Sequence, residues 1–150
     1  MDKNKKTAII IISVFLVLLL GFLGGFKFWE NYHSAPDYST GKMVELQGNG
    51  KNKLNSYQKK KFIEIARDTI DEKDGPFEWT NFNNVGLNVM KDKEKGVYSI
   101  FYKVKPNVSS YRPTITTYVT VKLDSNELKY WELYKIKDYT SDFSDFTDND

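Results

Sequence analysis

The sequence predicts an α+β protein: an N-terminal transmembrane helix, then one helix packed on a four-stranded antiparallel meander. Three observations point there. The run from Ala8 to Phe26 is apolar and uncharged, a later segment repeats its apolar side chains every three or four residues, and four further segments alternate apolar with polar between turn residues.

Length and composition narrow the field. The 150 residues leave room for one modest domain beyond the apolar run. Without cysteine the chain has no disulfide, thiolate zinc site, iron-sulfur cluster or cysteine nucleophile. Only Arg67 and Arg112 among the 22 basic residues are arginines, which confines bidentate recognition of phosphate or carboxylate to two points.

Residues 1–6 carry Lys3, Lys5 and Lys6, and the first lysines after the apolar run are Lys27 and Lys42. This excess favours a cytoplasmic N-terminus, a span over 7–28 and the remaining chain outside. The 19 residues from Ala8 to Phe26 approach the roughly 20 that cross a hydrocarbon core. They exceed the apolar region of a cleaved signal peptide, and cleavage after Gly25 would place bulky Leu23 where a small residue is needed. The reading is a retained signal anchor in the cell membrane. Phe26, Phe28, Trp29 and Tyr32 suit an interfacial aromatic belt, and Gly21 with Gly25 forms a small-xxx-small pair through which two spans could pack.

Residues 29–53 read as a flexible linker, because Pro36, Gly41, Gly48 and Gly50 interrupt any period. Within it, Met43, Val44 and Leu46 could instead add an edge strand. The folded domain is expected over 54–137. Asn55 or Ser56 can cap a helix running to about Lys73, with Phe62, Ile63, Ala66, Thr69 and Ile70 on its packed side. Lys60, Lys61, Glu64, Arg67, Asp68 and Asp71 face water, and Asp74-Gly75-Pro76 ends the helix. Strands are expected over 84–90, 97–104, 115–123 and 128–136, the last one on Leu128, Tyr130, Trp131, Leu133, Tyr134 and Ile136.

The tail, 138–150, holds five aspartates and no basic residue in near-repeats of Ser-Asp-Phe. It reads as acidic and disordered. The alternative is that Phe143 and Phe146 dock while the aspartates meet a basic surface, a partner's or the domain's own. Charge is partitioned: from Lys42 to Lys137 there are 18 basic residues against 12 acidic.

Catalytic chemistry finds little support. His33, the sole imidazole, falls in the expected linker, without the held geometry that proton transfer or metal ligation needs. Gly48-Asn-Gly50-Lys51 fails as a phosphate loop, since Glu45 and Asn52 stand where glycine and a hydroxyl residue are required. Glu64, Asp68, Asp71 and Glu72 read as a solvated helix face interleaved with Lys60, Lys61 and Arg67. Lys59 to Lys61 read as solubilising, so no nucleic-acid partner is expected. Asp148-Asn-Asp150 lacks the glycine and distal glutamate of a calcium loop, and neither a metal nor another cofactor is expected.

Binding is better supported. A sheet with a helix on one side leaves its other side open, and Tyr98, Tyr102, Tyr118, Tyr130 and Trp131 are expected to make that face an aromatic docking surface.

The last hairpin, Tyr118-Val-Thr-Val-Lys-Leu-Asp124 leading to Leu128, is similar to the closing Val-x-Val-Asp and apolar strand of PepSY-type domains, with Asn126 and Glu127 where the usual glycine stands. Together with the span, residues 54–137 resemble the cystatin-like or PepSY-like extracytoplasmic domains of small bacterial envelope proteins. A protease-inhibiting cystatin carries a Gln-x-Val-x-Gly loop, which this sequence lacks, so inhibition does not follow from the likeness. Secretion-channel proteins with an NTF2-like outer domain are a further resemblance. The expected function is a non-catalytic, single-pass, membrane-anchored domain that docks an envelope protein or polymer. The alternative is a subunit of a secretion, conjugation or division complex, forming a homo-oligomer through its span.

Overall fold

A computed structural model describes residues 2–36, 44–45, 54–107, 112–124, 128 and 131–144, in two compact units, Met1–His33 and Ser34–Asp150. The first unit is helix α1, Lys3–His33, none of whose side chains is buried. It is long and apolar enough to cross a membrane. The helix runs past the expected end of the span at 28, so 29–33 are not linker. No proline precedes Pro36, and i,i+3 and i,i+4 aromatic contacts support the last turns. Ring centroids of Phe26 and Trp29 lie 6.4 Å apart, those of Trp29 and His33 4.5 Å, and His33 Nδ1 donates to Trp29 O at 2.7 Å.

The second unit begins at once. Ser34 O accepts from Gln58 Nε2 at 2.9 Å, the buried Ala35 donates its N–H to Leu128 O at 3.2 Å, and Pro36 O accepts the Tyr98 hydroxyl at 2.7 Å. These residues are a strap on the domain rather than the start of a free coil. Farther along, β1, Val44–Glu45, pairs with Lys91 and Met90, which realises the short edge strand; Met43 and Leu46 lie outside the described residues.

Helix α2, Ser56–Asp74, starts where the sequence places it. Asn55 Oδ1 accepts from Gln58 N at 2.9 Å and Gln58 Oε1 accepts from Asn55 N at 3.0 Å, a reciprocal cap. It stops at Gly75, where a Cβ would sit 2.6 Å from Asp71 Cα, so only glycine fits. Phe62, Ile65, Ala66, Thr69 and Ile70 are buried against the sheet.

A 3-10 turn, Trp79–Asn81, leads into β2, Phe82–Lys91, followed by β3, Val97–Pro106, β4, Thr114–Leu123, and β5, Tyr134–Ser144. All neighbours pair antiparallel in chain order, so four long strands form the expected meander with β1 at its edge. Val89, Tyr98, Ile100, Tyr102, Val104, Ile115, Val119, Val121 and Leu123 meet α2 in one core.

The last strand departs from expectation. It occupies 134–144 rather than 128–136, and so takes up half of the stretch expected to be a disordered tail. Trp131, placed on a strand by its neighbours, instead has φ of 60° and turns its ring onto Phe62, with centroids 5.0 Å apart. Between Ile136, opposite Val121, and Asp138, opposite Thr120, Lys137 is an extra residue. This bulge shifts the alternation by one, so that Ile136, Tyr139, Ser141 and Phe143 share the helix side. Phe143 stacks on Phe77, with centroids 6.1 Å apart, so that part of the tail docks on its own domain. Phe146 and the residues from 145 onward lie outside the described residues.

Candidate functional site on the open sheet face

Alternation along β2 to β4 sorts the side chains. Those that pair across Tyr102–Thr117 and Ile100–Val119 face α2, and the intervening ones face away. On the away side, Asn88 of β2, Phe101 of β3, Tyr118 of β4 and Thr140 of β5 form one row across the sheet. The Phe101 and Tyr118 rings lie 4.9 Å apart at 55°, and Tyr118 is 58% exposed. Aromatic cross-strand pairs of this kind stabilise a sheet while leaving one ring face presented to solvent.

Beside the pair, Asn88, Met90, Ser99, Phe101 and Tyr118 line a concavity of about 300 Å³. Asn88 Oδ1 itself is buried and accepts no hydrogen bond from the described residues. Ser99 Oγ and Thr120 Oγ1, 3.2 Å apart, add a second hydrogen-bonding spot. A ligand that covers Tyr118 would meet the polar side chains of Asn88 and Ser99 beside the two rings.

The hairpin end of this face is charged. Lys122 Nζ lies 2.6 Å from Glu94 Oε1 and Lys137 Nζ 3.5 Å from Glu94 Oε2. The hydrogen bond and charge of Lys122, then the charge of Lys137, hold the Glu94 carboxyl below its ordinary range.

The residues expected to make the aromatic face separate onto different surfaces. Among the described ones, only Tyr118 lies on the open side. Tyr98 and Tyr102 are fully buried under α2, because they share the parity of Ile100 and Val104. Tyr98 packs on Phe62 at 5.2 Å, and the Tyr102 hydroxyl accepts from Arg67 Nε at 2.9 Å while donating to Asn84 Oδ1. Trp131 is 3% exposed against Phe62, and Tyr130 lies outside the described residues. Phe101 and Asn88 were not singled out from the sequence. The signal was present, since placing Tyr118 on the open face forces its cross-strand neighbours Phe101 and Asn88 there too.

On α1, a Cβ at Gly21 or Gly25 would meet no atom within 4 Å, so both positions are open notches on that helix.

Two other concavities flank residues 131–135. One, of about 480 Å³, is lined by Lys122, Leu123, Asp124, Leu133 and Lys135 among others. The other, of about 260 Å³, lies between α2 and Trp131, with Lys61, Glu64, Asp68, Glu132 and Tyr134 around it. Burial, then the charges of Glu64 and Asp71, push the Asp68 carboxyl above its ordinary value. Among the described residues, no group of three histidine, aspartate or glutamate side chains could hold a metal ion.

No family model, curated protein or solved structure matches the chain.

Proposed function

We propose that the chain is a single-pass, membrane-anchored, non-catalytic docking domain, with its N-terminus cytoplasmic and the α+β domain outside. Its partner is an envelope protein or polymer. The observation that carries the reading is the Phe101–Tyr118 pair, set beside the concavity it lines with Asn88, Met90 and Ser99 on the sheet face away from α2. The anchor rests on the apolar helix and on Lys3, Lys5 and Lys6 before it. The order of short strand, helix and four-strand meander supports the cystatin-like resemblance.

A photo-crosslinking residue at position 118, in the full-length chain in its native membrane, tests the docking face. Adducts are expected from 118, suppressed by Phe101→Ala in the same chain, and absent when the probe replaces Glu72 on the exposed side of α2. Equal labelling from 118 and 72, or none from 118, rejects the reading.

A second reading, a membrane-assembly subunit that oligomerises through its span, is favoured by the open notches at Gly21 and Gly25. Gly21→Leu with Gly25→Leu is expected to dissolve such an assembly in membranes. Unchanged oligomers would count against it.

A further inference from the structure

We infer that β5 is a self-pairing edge through which two copies of this chain join their sheets into one. Among the described residues β5 ends the strand order, so one side of an 11-residue strand carries backbone donors and acceptors without a described strand partner. An edge of this length is a template for strand addition. On its helix side Tyr134, Ile136 and Tyr139 are half-buried and Phe143 is 37% exposed, so apolar surface runs along the edge and would be covered by a neighbour.

The side chains fit a second copy in a particular register. A second copy related by a twofold axis must pair antiparallel, each residue meeting its counterpart across one central position. Centring on Asp138 sets Asp138 against itself, and centring on Thr140 sets Asp142 against Asp138. Both put like charges opposite each other. Centring on Tyr139 behaves differently. Thr140 then faces Asp138 of the other copy, and because each strand carries the Lys137 bulge, Asp142 faces Lys135, twice about the axis. On the helix side the same register puts Phe143 beside Tyr134 and Tyr139 beside its own counterpart. Lys135 and Asp142 share the sheet face of Lys122 and Thr116 and are both exposed, so they meet without disturbing the core. Edge lysines and bulges commonly turn away foreign strands. Here the same devices disfavour the registers centred on Asp138 and Thr140 and favour the one centred on Tyr139.

The absence of cysteine makes the test clean. Full-length Lys135→Cys and Asp142→Cys chains, carrying different tags, are co-expressed in membranes and mildly oxidised. Directly opposed antiparallel residues lie within disulfide range, whereas two copies of position 135, or two of position 142, would be roughly 20 Å apart. A mixed disulfide about tenfold more abundant than either self-disulfide is expected, given that separation. In chains without cysteine, Lys135→Asp and Asp142→Lys should each weaken self-association about tenfold, because the axis doubles every repulsion, and the two together should restore it. Circular dichroism of each variant confirms an unchanged fold, which surface positions permit. Self-disulfides as abundant as the mixed one point to association through the span and overturn the proposal. A charge swap that restores nothing also overturns it.

Discussion

The Tyr139 hydroxyl donates to Asp74 Oδ2 at 2.5 Å, and Ser141 Oγ donates to the same oxygen at 3.1 Å. A carboxylate at a helix C-terminus opposes the helix dipole. Two hydroxyl donors from β5 compensate Asp74 and tie the last strand to the last residue of α2.

That tie has a pH signature. Burial, then the bond to Asp74, pushes the Tyr139 phenol up to about 12 from an ordinary value of 10. The folded state therefore holds this proton more tightly than the unfolded chain. The contribution is full below about pH 10 and is lost as pH rises through the folded value. Tyr139→Phe is expected to lower stability by about 1 kcal/mol at neutral pH and to flatten the loss between pH 10 and 12, read by thermal melts across that range.

Replacing Tyr102 by alanine should destabilise the domain by about 3–5 kcal/mol, because it empties a fully buried site. Tyr118→Ala, at an exposed position, should alter stability by less than about 1 kcal/mol. Chemical denaturation of both variants checks the assignment of the two faces. Similar losses would contradict it.

Arg67 joins three elements. Its Nε donates to the Tyr102 hydroxyl, its Nη2 donates to Asn84 Oδ1 at 2.8 Å, and its guanidinium lies 5.2 Å from the Trp79 ring centre. A lysine offers no planar fork, so Arg67→Lys should cost about 1–3 kcal/mol. Burial raises the Tyr102 phenol while the bond and charge of Arg67 oppose the rise. Titration of tyrosinate absorbance should show that phenol moving higher in the variant.

Asp68 gives the opposite sign to the usual surface carboxylate. Its folded value lies above the ordinary one, so the charged form is less favourable in the fold than in the unfolded chain. The penalty is present at neutral pH and disappears as pH falls through the folded value. Asp68→Asn is expected to raise the melting midpoint at neutral pH, with the gain vanishing in acid. Melts at both extremes measure it.

The apolar helix, α2 and three of the four long strands were legible in the sequence, since strict periods of 3.6 and 2 mark Phe62 to Ile70 and Ile115 to Leu123. The fourth strand was not. Leu128, Trp131 and Leu133 mimic alternation, while the Lys137 bulge interrupts the true period, three residues separating Ile136 from Tyr139. Aspartates between the inward residues then resemble a solvated tail. The docking face was misjudged for a related reason. Aromatic residues occur on both parities of β3, and composition does not say which parity the helix covers. The strap at 34–36 left no trace at all, being held largely through backbone carbonyls.

Because β2 to β5 each pair with their chain neighbour, that part of the sheet can zip up one hairpin at a time, whereas β1 joins it across the whole of α2. The strap obeys a different schedule. Pro36 must wait for a hydroxyl 62 residues downstream, so its latch can shut only after β3 has taken its place. Amide exchange at Ala35 therefore reports whether the whole domain has matured, from a position next to the helix that precedes it.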